Sequence, residues 1–180
     1  MPHDIGTLSP EMALLGLLYE APGYGYELHR KVVADLGHVW HLSQSQAYSI
    51  LKRLEAHGDI SMEELPQKKL PARQLLHMTP QGISRFLDWL DSPSRGSNRA
   101  IRLEFISRLY FLRLYMPEKI SQAFDQQRLE AESRLQQLTN TLTELPEEQI
   151  YNRMSVDLRI KQLQTILKWL DVSQKHFRQK

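Results

Sequence analysis

The chain has 180 residues, 41% of them apolar and 24% charged, a composition typical of globular proteins that argues against disorder over most of its length. It contains no cysteine, which excludes disulfides, thiol nucleophiles and thiolate zinc sites and favours a reducing compartment. The formal net charge is +2, but residues 1–92 carry 8 Lys and Arg against 11 Asp and Glu, a net charge of −3. Any attraction of this half for nucleic acid must therefore come from a local basic cluster.

The first predicted element is a helix that begins near residue 10 and reaches about residue 20. Ser9-Pro10-Glu11 combines a capping residue, a proline at the first helical position and an acid in the first turn. The apolar run at 12–19 is much shorter than the roughly 20 residues of a membrane span, and no basic segment precedes it as in a signal peptide. We therefore expect a cytoplasmic protein with no membrane partner.

Two more helices are predicted before residue 58. Apolar residues at 28, 32 and 36 have the four-residue spacing of one helical face, and Gly37 ends this second helix. Ser43 and Gln46 match a capping box, which predicts the start of a third helix. The third helix has an apolar stripe at 47, 50, 51 and 54, and its other face is polar, with Gln44, Ser45, Tyr48, Ser49 and Lys52.

A hairpin and a fourth helix are predicted next. Residues 60–65 and 73–78 are short extended candidates, joined by a proline-bracketed loop at 66–72 that is too long for a tight turn. Thr79-Pro80 again combines a cap with proline and predicts the start of the fourth helix. Three to four helices and a two-stranded wing indicate a winged helix-turn-helix domain over residues 1–92, a fold that usually reads DNA.

The remainder is predicted to be a linker at 93–98 and an all-α domain at 99–180. One helix reaches Met116-Pro117, and two longer helices flank a break at 145–147. Both longer helices carry leucines at alternating steps of four and three, the spacing of a coiled coil, which leaves a hairpin within the chain or a coiled coil between chains. We expect a partner chain to cover part of this seam. The predicted dimer-interface residues are Leu135, Leu138, Leu142, Leu163, Leu167 and Leu170.

The motifs of residues 10–92 together resemble the PadR family of bacterial transcription regulators. The resemblance is carried by ALLGLL at 13–18, GYEL at 25–28, Trp40 before a serine-rich helix start, Tyr48 with LKRLE at 51–55 and Gly58, and TPQG at 79–82. It implies a homodimeric regulator, commonly a repressor, whose tail dimerises. The family often has histidine, glycine and proline where this chain has Tyr24, Ser45 and Ser49. Because the last two lie on the third helix, the DNA sequence that relatives recognise cannot be transferred.

The polar face of the third helix is the predicted DNA-reading surface. Gln and Ser side chains can bond base edges in the major groove, and Lys or Arg can meet phosphate or guanine. On the wing, a basic cluster can contact the DNA backbone. The alternatives are an ordinary solvated helix face and loop lysines that only increase solubility. The predicted DNA-binding residues are Gln44, Ser45, Tyr48, Ser49, Lys52, Arg53, Lys68, Lys69 and Arg73.

Two further residue patterns suggest ligands. His38 and His41 form an H-x-x-H pair, but no acid or cysteine completes a usual ligand set and the intervening Val39-Trp40 indicates packing, so we expect no metal and no cofactor. Rings just after the linker suggest either a pocket for a small aromatic effector or plain core and dimer packing. The predicted pocket residues are Phe105, Tyr110, Phe111 and Tyr115.

The sequence therefore predicts a DNA-binding transcriptional regulator, in its most specific form a homodimeric repressor that a small aromatic molecule could release from double-stranded DNA. No arrangement of nucleophile, base and acid and no glycine-rich phosphate loop appears in a convincing context, so we do not predict an enzyme. The alternative is a protein-interaction module in which the helical tail is the working surface and the winged helix is a scaffold. The net charge of −3 over residues 1–92 supports this alternative.

Overall fold

The computed structural model of the chain describes residues 8–67 and 70–178. Lys68 and Lys69, both predicted DNA contacts, lie outside the described residues. The described chain is mainly helical with a small antiparallel sheet, which confirms the predicted fold class. It divides into two compact units, one ending at Ser92 and the other starting at Pro93. No helix within the described ranges has both the length and the hydropathy that crossing a membrane requires.

The described residues of the first unit form four helices and three strands. The first helix ends earlier than predicted because the chain changes to three-residue hydrogen bonds after it, from Leu18 N to Leu15 O and from Tyr19 N to Gly16 O. In chain order the elements are α1 (Glu11–Gly16), β1 (Gly23–Tyr24), α2 (Gly25–Leu36), α3 (Gln44–Ala56), β2 (Ile60–Gln67), β3 (Leu70–Met78) and α4 (Pro80–Asp91).

The ends of α3 and α4 follow the predicted caps. The Ser43 hydroxyl accepts from the Gln46 backbone N–H at 3.3 Å, and the Gln46 side chain accepts from the Ser43 N–H at 2.9 Å, so the capping box is confirmed. Thr79 accepts from the Gly82 N–H at 3.1 Å with Pro80 at the first helical position. Beyond α3 the chain turns at Gly58, whose φ of +77° lies in the left-handed region that favours glycine.

The wing is longer and has one more strand than predicted. β2 pairs with β3 from Ile60↔Met78 to Gln67↔Leu70, so most of the predicted loop at 66–72 is strand. The register is irregular between Leu65 and Gln67, around Pro66, which has no N–H to give to the ladder. The prolines were interpreted as strand ends, whereas the hairpin accommodates Pro66 at an irregularity. β1 adds the third strand by pairing with β3 at Leu75 and Leu76.

An ion network joins the start of α1 to the rest of the first unit. Arg85 on α4 donates to Glu11 at 2.8 Å and to the buried carboxylate of Asp59. Glu11 also accepts from Arg53 at 2.5 Å. Burial disfavours the charged form of Glu11, but its hydrogen bonds and attraction to Arg53 and Arg85 outweigh burial and hold its pKa below the ordinary value. The network therefore ties α1, α3 and α4 to the start of β2.

The second unit is all helical. A continuous helical stretch contains α5 (Asn98–Ala100), a π-helical turn (Ile101–Phe105) and α6 (Ile106–Tyr115). A 3₁₀ turn (Pro117–Lys119) leads into α7 (Ile120–Glu144), and α8 (Ile150–Arg178) follows the break that the sequence predicts. Arg153 at the start of α8 donates to the carbonyls of Leu142 and Leu145, which satisfies groups that the end of α7 leaves unbonded.

Residues 93–98, predicted as a linker, pack within the second unit. Ser94 is buried, and its backbone N–H and C=O both bond the side chain of Gln127 at 2.9 Å. Its hydroxyl accepts from Arg108 at 2.9 Å. Burial lowers the pKa of Arg108 to about 10, against the attraction of Glu104. The composition of this segment is typical of a linker, but its polar atoms are bonded inside the helical unit.

The leucine seams of α7 and α8 face each other within one chain. Leu138 and Leu163 are buried in one core, and Leu135, Leu142 and Leu167 pack against it at partial burial. Leu170 is also buried. Of the two alternatives that the heptads left open, the structure has the hairpin. Five of the six predicted dimer-interface residues therefore pack in the hairpin core of one chain, two of them buried and three partly buried.

Candidate nucleic-acid interface

The outer face of α3 is polar and largely uncommitted. Ala47, Ile50, Leu51 and Leu54 are buried on its inner face, so the helix is held with its polar side toward solvent. Among the described residues, Gln44 and Lys52 make no hydrogen bond or ion pair, and Ser49 bonds only the carbonyl of Ser45 on its own helix. Such side chains are available to bases and phosphates without breaking internal contacts.

Arg53 lies on the same helix but differs from Lys52 in being engaged. Its guanidinium donates to Glu11 at 2.5 Å and to the Ser9 hydroxyl at 3.5 Å. A phosphate would have to compete with the Glu11 carboxylate for it. The sequence does not reveal this, because Glu11 is 42 residues away along the chain.

Arg73, the predicted DNA contact on β3, lies beside the start of α2. Its guanidinium carbon is 5.7 Å from the centre of the Tyr24 ring, within cation–π range. Tyr24 stacks on Tyr26 with ring centres 6.0 Å apart and planes 19° from parallel. Sequence reasoning did not assign either tyrosine to the site, although the GYGY run at 23–26 places two rings at the start of α2.

A cleft lies where α2, α3 and the wing meet, and we call it the tyrosine cleft. It encloses about 780 Å³ and includes the side chains of Tyr24, Tyr26, Tyr48, Lys52 and Arg73. Gly25 forms part of its wall. A side chain at this position would crowd Tyr48, since a Cβ there would lie only 3.0 Å from the Tyr48 Cε1. The fold therefore brings the predicted contacts Tyr48, Lys52 and Arg73 around one depression.

The tyrosine cleft is not uniformly basic. Glu55 and Glu64 line it together with Lys52 and Arg73, so two carboxylates face two cations. On the wing, the His77 ring lies 2.9 Å from the Glu63 carboxylate. This mixture agrees with the net charge of −3 of residues 1–92 and leaves only local positive charge for phosphate.

The histidine pair is not assembled as a metal site. His38 and His41 are exposed, and Trp40 between them is buried in the core. His29 instead bonds the carbonyl of Leu42 through Nε2 at 2.9 Å. Across the described ranges, no three His, Asp or Glu side chains come together in a way that could hold an ion.

The rings predicted to form an effector pocket are partly core. Phe105 and Phe111 are fully buried, and Phe105 packs edge-on against Phe124 with ring centres 5.2 Å apart. Phe111 contacts the rings of Tyr110 at 5.0 Å and Tyr115 at 6.1 Å. Only the two tyrosines of the set keep partly exposed side chains. The structure thus brings Tyr110, Phe111 and Tyr115 together on α6, but Phe111, which contacts both tyrosines, is fully buried.

Two family models match this chain along most of its length. The model described as the transcriptional regulator PadR-like family matches residues 14–87, which run from within α1 into α4 and include β1–β3. The model described as virulence activator alpha C-term matches residues 101–176, which run from the π-helical turn into α8. Residues 14–87 are thus a PadR-like domain, and the two matches together support a PadR-like transcriptional regulator. These regulators are not enzymes, in agreement with the sequence prediction.

Individual relatives extend over both units. A curated relative, the negative transcriptional regulator PadR of Bacillus subtilis (strain 168), is 26% identical over 133 residues, 74% of this chain and 72% of the relative. The crystal structure of Bacillus subtilis PadR with operator DNA is 22% identical with a TM-score of 0.46, covering 93% of this chain and 98% of that one. Its complex with p-coumaric acid is 20% identical with a TM-score of 0.41, covering 94% and 98%.

Proposed function

We propose that this PadR-like regulator represses transcription by binding double-stranded DNA as a homodimer, with α3 in the major groove. The observation that carries the proposal is the uncommitted polar face of α3, where Gln44 and Lys52 have no partner among the described residues. A polar helix face beside a wing is the surface that winged helix-turn-helix proteins use on DNA.

The residues of this face divide by what they can contact. Gln44 near the start of α3, and Tyr48 one turn later, are positioned to reach base edges, since the first residues of a reading helix enter the groove most deeply. Lys52 and Arg73 on either side of the tyrosine cleft are suited to phosphate oxygens. Lys68 and Lys69 remain predicted backbone contacts of the wing.

The homodimer is supported by an apolar stripe that the hairpin leaves uncovered. On α8, Tyr151 is 87% exposed, Met154 64% and Leu158 57%, and their spacing of three and four residues places them on one helical face. Large apolar side chains in contiguous exposed positions are typical of an interface. We propose that a second copy of this chain covers the stripe, because two reading helices must be joined to read half-sites one DNA turn apart.

Repression and release are proposed by relation to the curated relative. The Bacillus subtilis protein is named a negative regulator, and structures of it carry operator DNA and p-coumaric acid in their descriptions. We propose that DNA binding by this chain blocks transcription and that a small aromatic molecule weakens it. Tyr110 and Tyr115, the partly exposed rings on α6, are the side chains we propose to meet that molecule.

The test is selection of duplexes from a random-sequence pool by the full chain, followed by footprinting and transcription from a promoter that contains the selected site. We expect an enriched, two-fold symmetric sequence whose occupancy lowers transcript yield. Sedimentation should give about twice the chain mass of 21.1 kDa. No enrichment at micromolar protein would overturn the proposal and favour the protein-interaction module. Enrichment with higher transcript yield would overturn repression alone.

A further inference from the structure

We propose that Tyr24 is a positioning residue for DNA binding, which holds the guanidinium of Arg73 at the edge of the wing in the orientation in which it meets the DNA backbone. The inference rests on the proposed DNA binding and assigns a role to a side chain outside the predicted contacts. Its basis is the position of the Arg73 guanidinium over the Tyr24 ring, 5.7 Å from its centre, and the stacking of Tyr24 on Tyr26.

The Tyr24 ring is fixed by its backbone on both sides. Tyr24 belongs to β1, where it pairs with Leu75 of β3, and it is also the residue that caps α2. A side chain at the junction of a paired strand and a helix has little freedom to move with a loop. Arg73 lies two residues before Leu75 on β3, on the same side of the strand, so the pairing brings its side chain to the ring.

Glu27 anchors the second ring of the stack. The Tyr26 hydroxyl donates to Oε1 of Glu27 at 2.9 Å, and Oε2 of Glu27 accepts from the Tyr24 backbone N–H at 3.4 Å. One carboxylate therefore connects both tyrosines at the first turn of α2. We call the two rings and Glu27 the ring platform, and the Arg73 guanidinium lies over its Tyr24 ring.

Arg73 needs such support because an exposed arginine is conformationally free. Ordering a long side chain on binding costs free energy, and a guanidinium already held over a ring loses less freedom when it meets a phosphate. A guanidinium stacked through its face also keeps its edge N–H groups free to donate. The ring platform thus orients Arg73 without consuming the donors that a phosphate would use.

Lys52 provides the contrast within the same cleft. Its ammonium lies on α3, is exposed, and makes no hydrogen bond or ion pair to the described residues. The tyrosine cleft therefore has one cation that is free to adjust and one that is oriented in advance. We expect Tyr24 to affect DNA binding only through the second.

The experiment is a double-mutant cycle on the affinity of the full chain for a duplex selected by the wild-type protein. An exposed cation–π contact corresponds to about a two- to fivefold change in affinity. Tyr24→Leu should weaken DNA binding by that factor. Tyr24→Phe should bind with the wild-type affinity because the ring remains. Arg73→Ala should weaken binding at least as much as Tyr24→Leu. In the Arg73→Ala background, Tyr24→Leu should have no further effect.

Additive losses in the cycle would overturn the proposal, because Tyr24 would then act on DNA or stability independently of Arg73. Equal binding by Tyr24→Leu and wild type would overturn it as well. The free protein supplies a separate readout, since the ring current of Tyr24 shifts the NMR signals of the Arg73 δ-protons. That shift should persist in Tyr24→Phe and disappear in Tyr24→Leu.

The two readouts separate this inference from the proposed function. Without DNA binding by the wild-type chain, the proposed function fails and the positioning role fails with it, even if the NMR shift shows an intact ring platform. With DNA binding present but no ring-current shift on Arg73, only the positioning role fails.

Discussion

The outer face of α3 and the exposed stripe of α8 are both open to solvent, but the side chains of the first are polar and those of the second are apolar. α3 presents Gln44 and Lys52, polar groups without partners in the described chain, whereas α8 presents Tyr151, Met154 and Leu158, apolar groups that water covers. A polar helix face is well solvated in water and can form hydrogen bonds and ion pairs with DNA when DNA binds. An exposed apolar stripe is unfavourable in water, and covering it with another apolar surface lowers the free energy. This difference is why we propose DNA for the first surface and a second chain for the second.

The surface that we propose for the second chain differs from the predicted leucine interface. The heptad leucines of α7 and α8 were the predicted interface, but they cover each other in the hairpin. The outward stripe has its own three- and four-residue steps, which the stronger leucine pattern concealed. α8 therefore has one apolar stripe that packs within the chain and one that we propose a second chain covers.

The largest effect should come from a charge inside the hairpin. Leu163 is buried in the seam, so Leu163→Asp combines loss of a leucine with an unpaired buried charge. We expect a loss of roughly 4 kcal/mol or more in the free energy of unfolding, and therefore an unfolded second unit, as seen by circular dichroism and urea titration. A folded Leu163→Asp monomer would instead place Leu163 in the interface between chains.

The second effect separates association from folding. Leu158 is mostly exposed in one chain, so Leu158→Asp should leave the urea transition of the monomer nearly unchanged while raising the dimer dissociation constant by about 10- to 100-fold. Sedimentation equilibrium measures this change. Val33→Asp, at a half-exposed apolar residue on α2, is the matched control and should leave association unchanged. Equal effects of both substitutions would remove the stripe from the interface.

Local signals predicted the first unit well. Ser43 with Gln46 and Thr79 with Pro80 define helix starts through contacts three residues apart, and the structure has both. Contacts between distant residues could not be predicted in this way. The pairing of Arg53 with Glu11, the approach of Arg73 to Tyr24 and the burial of Ser94 by Gln127 all join residues more than 30 positions apart. These contacts decide which predicted site residues are free.

The third effect compares two adjacent cations on α3. Lys52 is uncommitted, so Lys52→Ala should weaken DNA binding roughly tenfold and reduce the slope of log affinity against log salt by about 0.9, the value of one phosphate contact. Arg53 already pairs with Glu11, so Arg53→Ala should change DNA affinity less and lower stability instead. Fluorescence anisotropy over a salt series measures both. The opposite order would mean that DNA displaces Glu11 from Arg53.

The smallest effect is the pH dependence of the network that holds Arg53 at the edge of the α3 face. Hydrogen bonds and attraction from Arg53 and Arg85 lower the pKa of Glu11 below its usual 4.5 despite burial. The unfolded chain therefore binds the proton more readily than the folded chain, so this contribution to stability is complete above the unfolded pKa and is lost as the pH falls through the folded one. At neutral pH, Glu11→Gln should lower the free energy of unfolding by about 1–2 kcal/mol.

The decisive measurement is the difference in unfolding free energy between wild type and Glu11→Gln as the pH is lowered. The difference should shrink toward zero once Glu11 is protonated in both states, because the neutral carboxyl and the amide then leave Arg53 and Arg85 equally without an ionised Glu11. Asp59 remains in both proteins and cancels in this difference. A difference that stays constant down to acidic pH would show that Glu11 contributes packing rather than charge, and Arg53 would then be free for phosphate in the same way as Lys52.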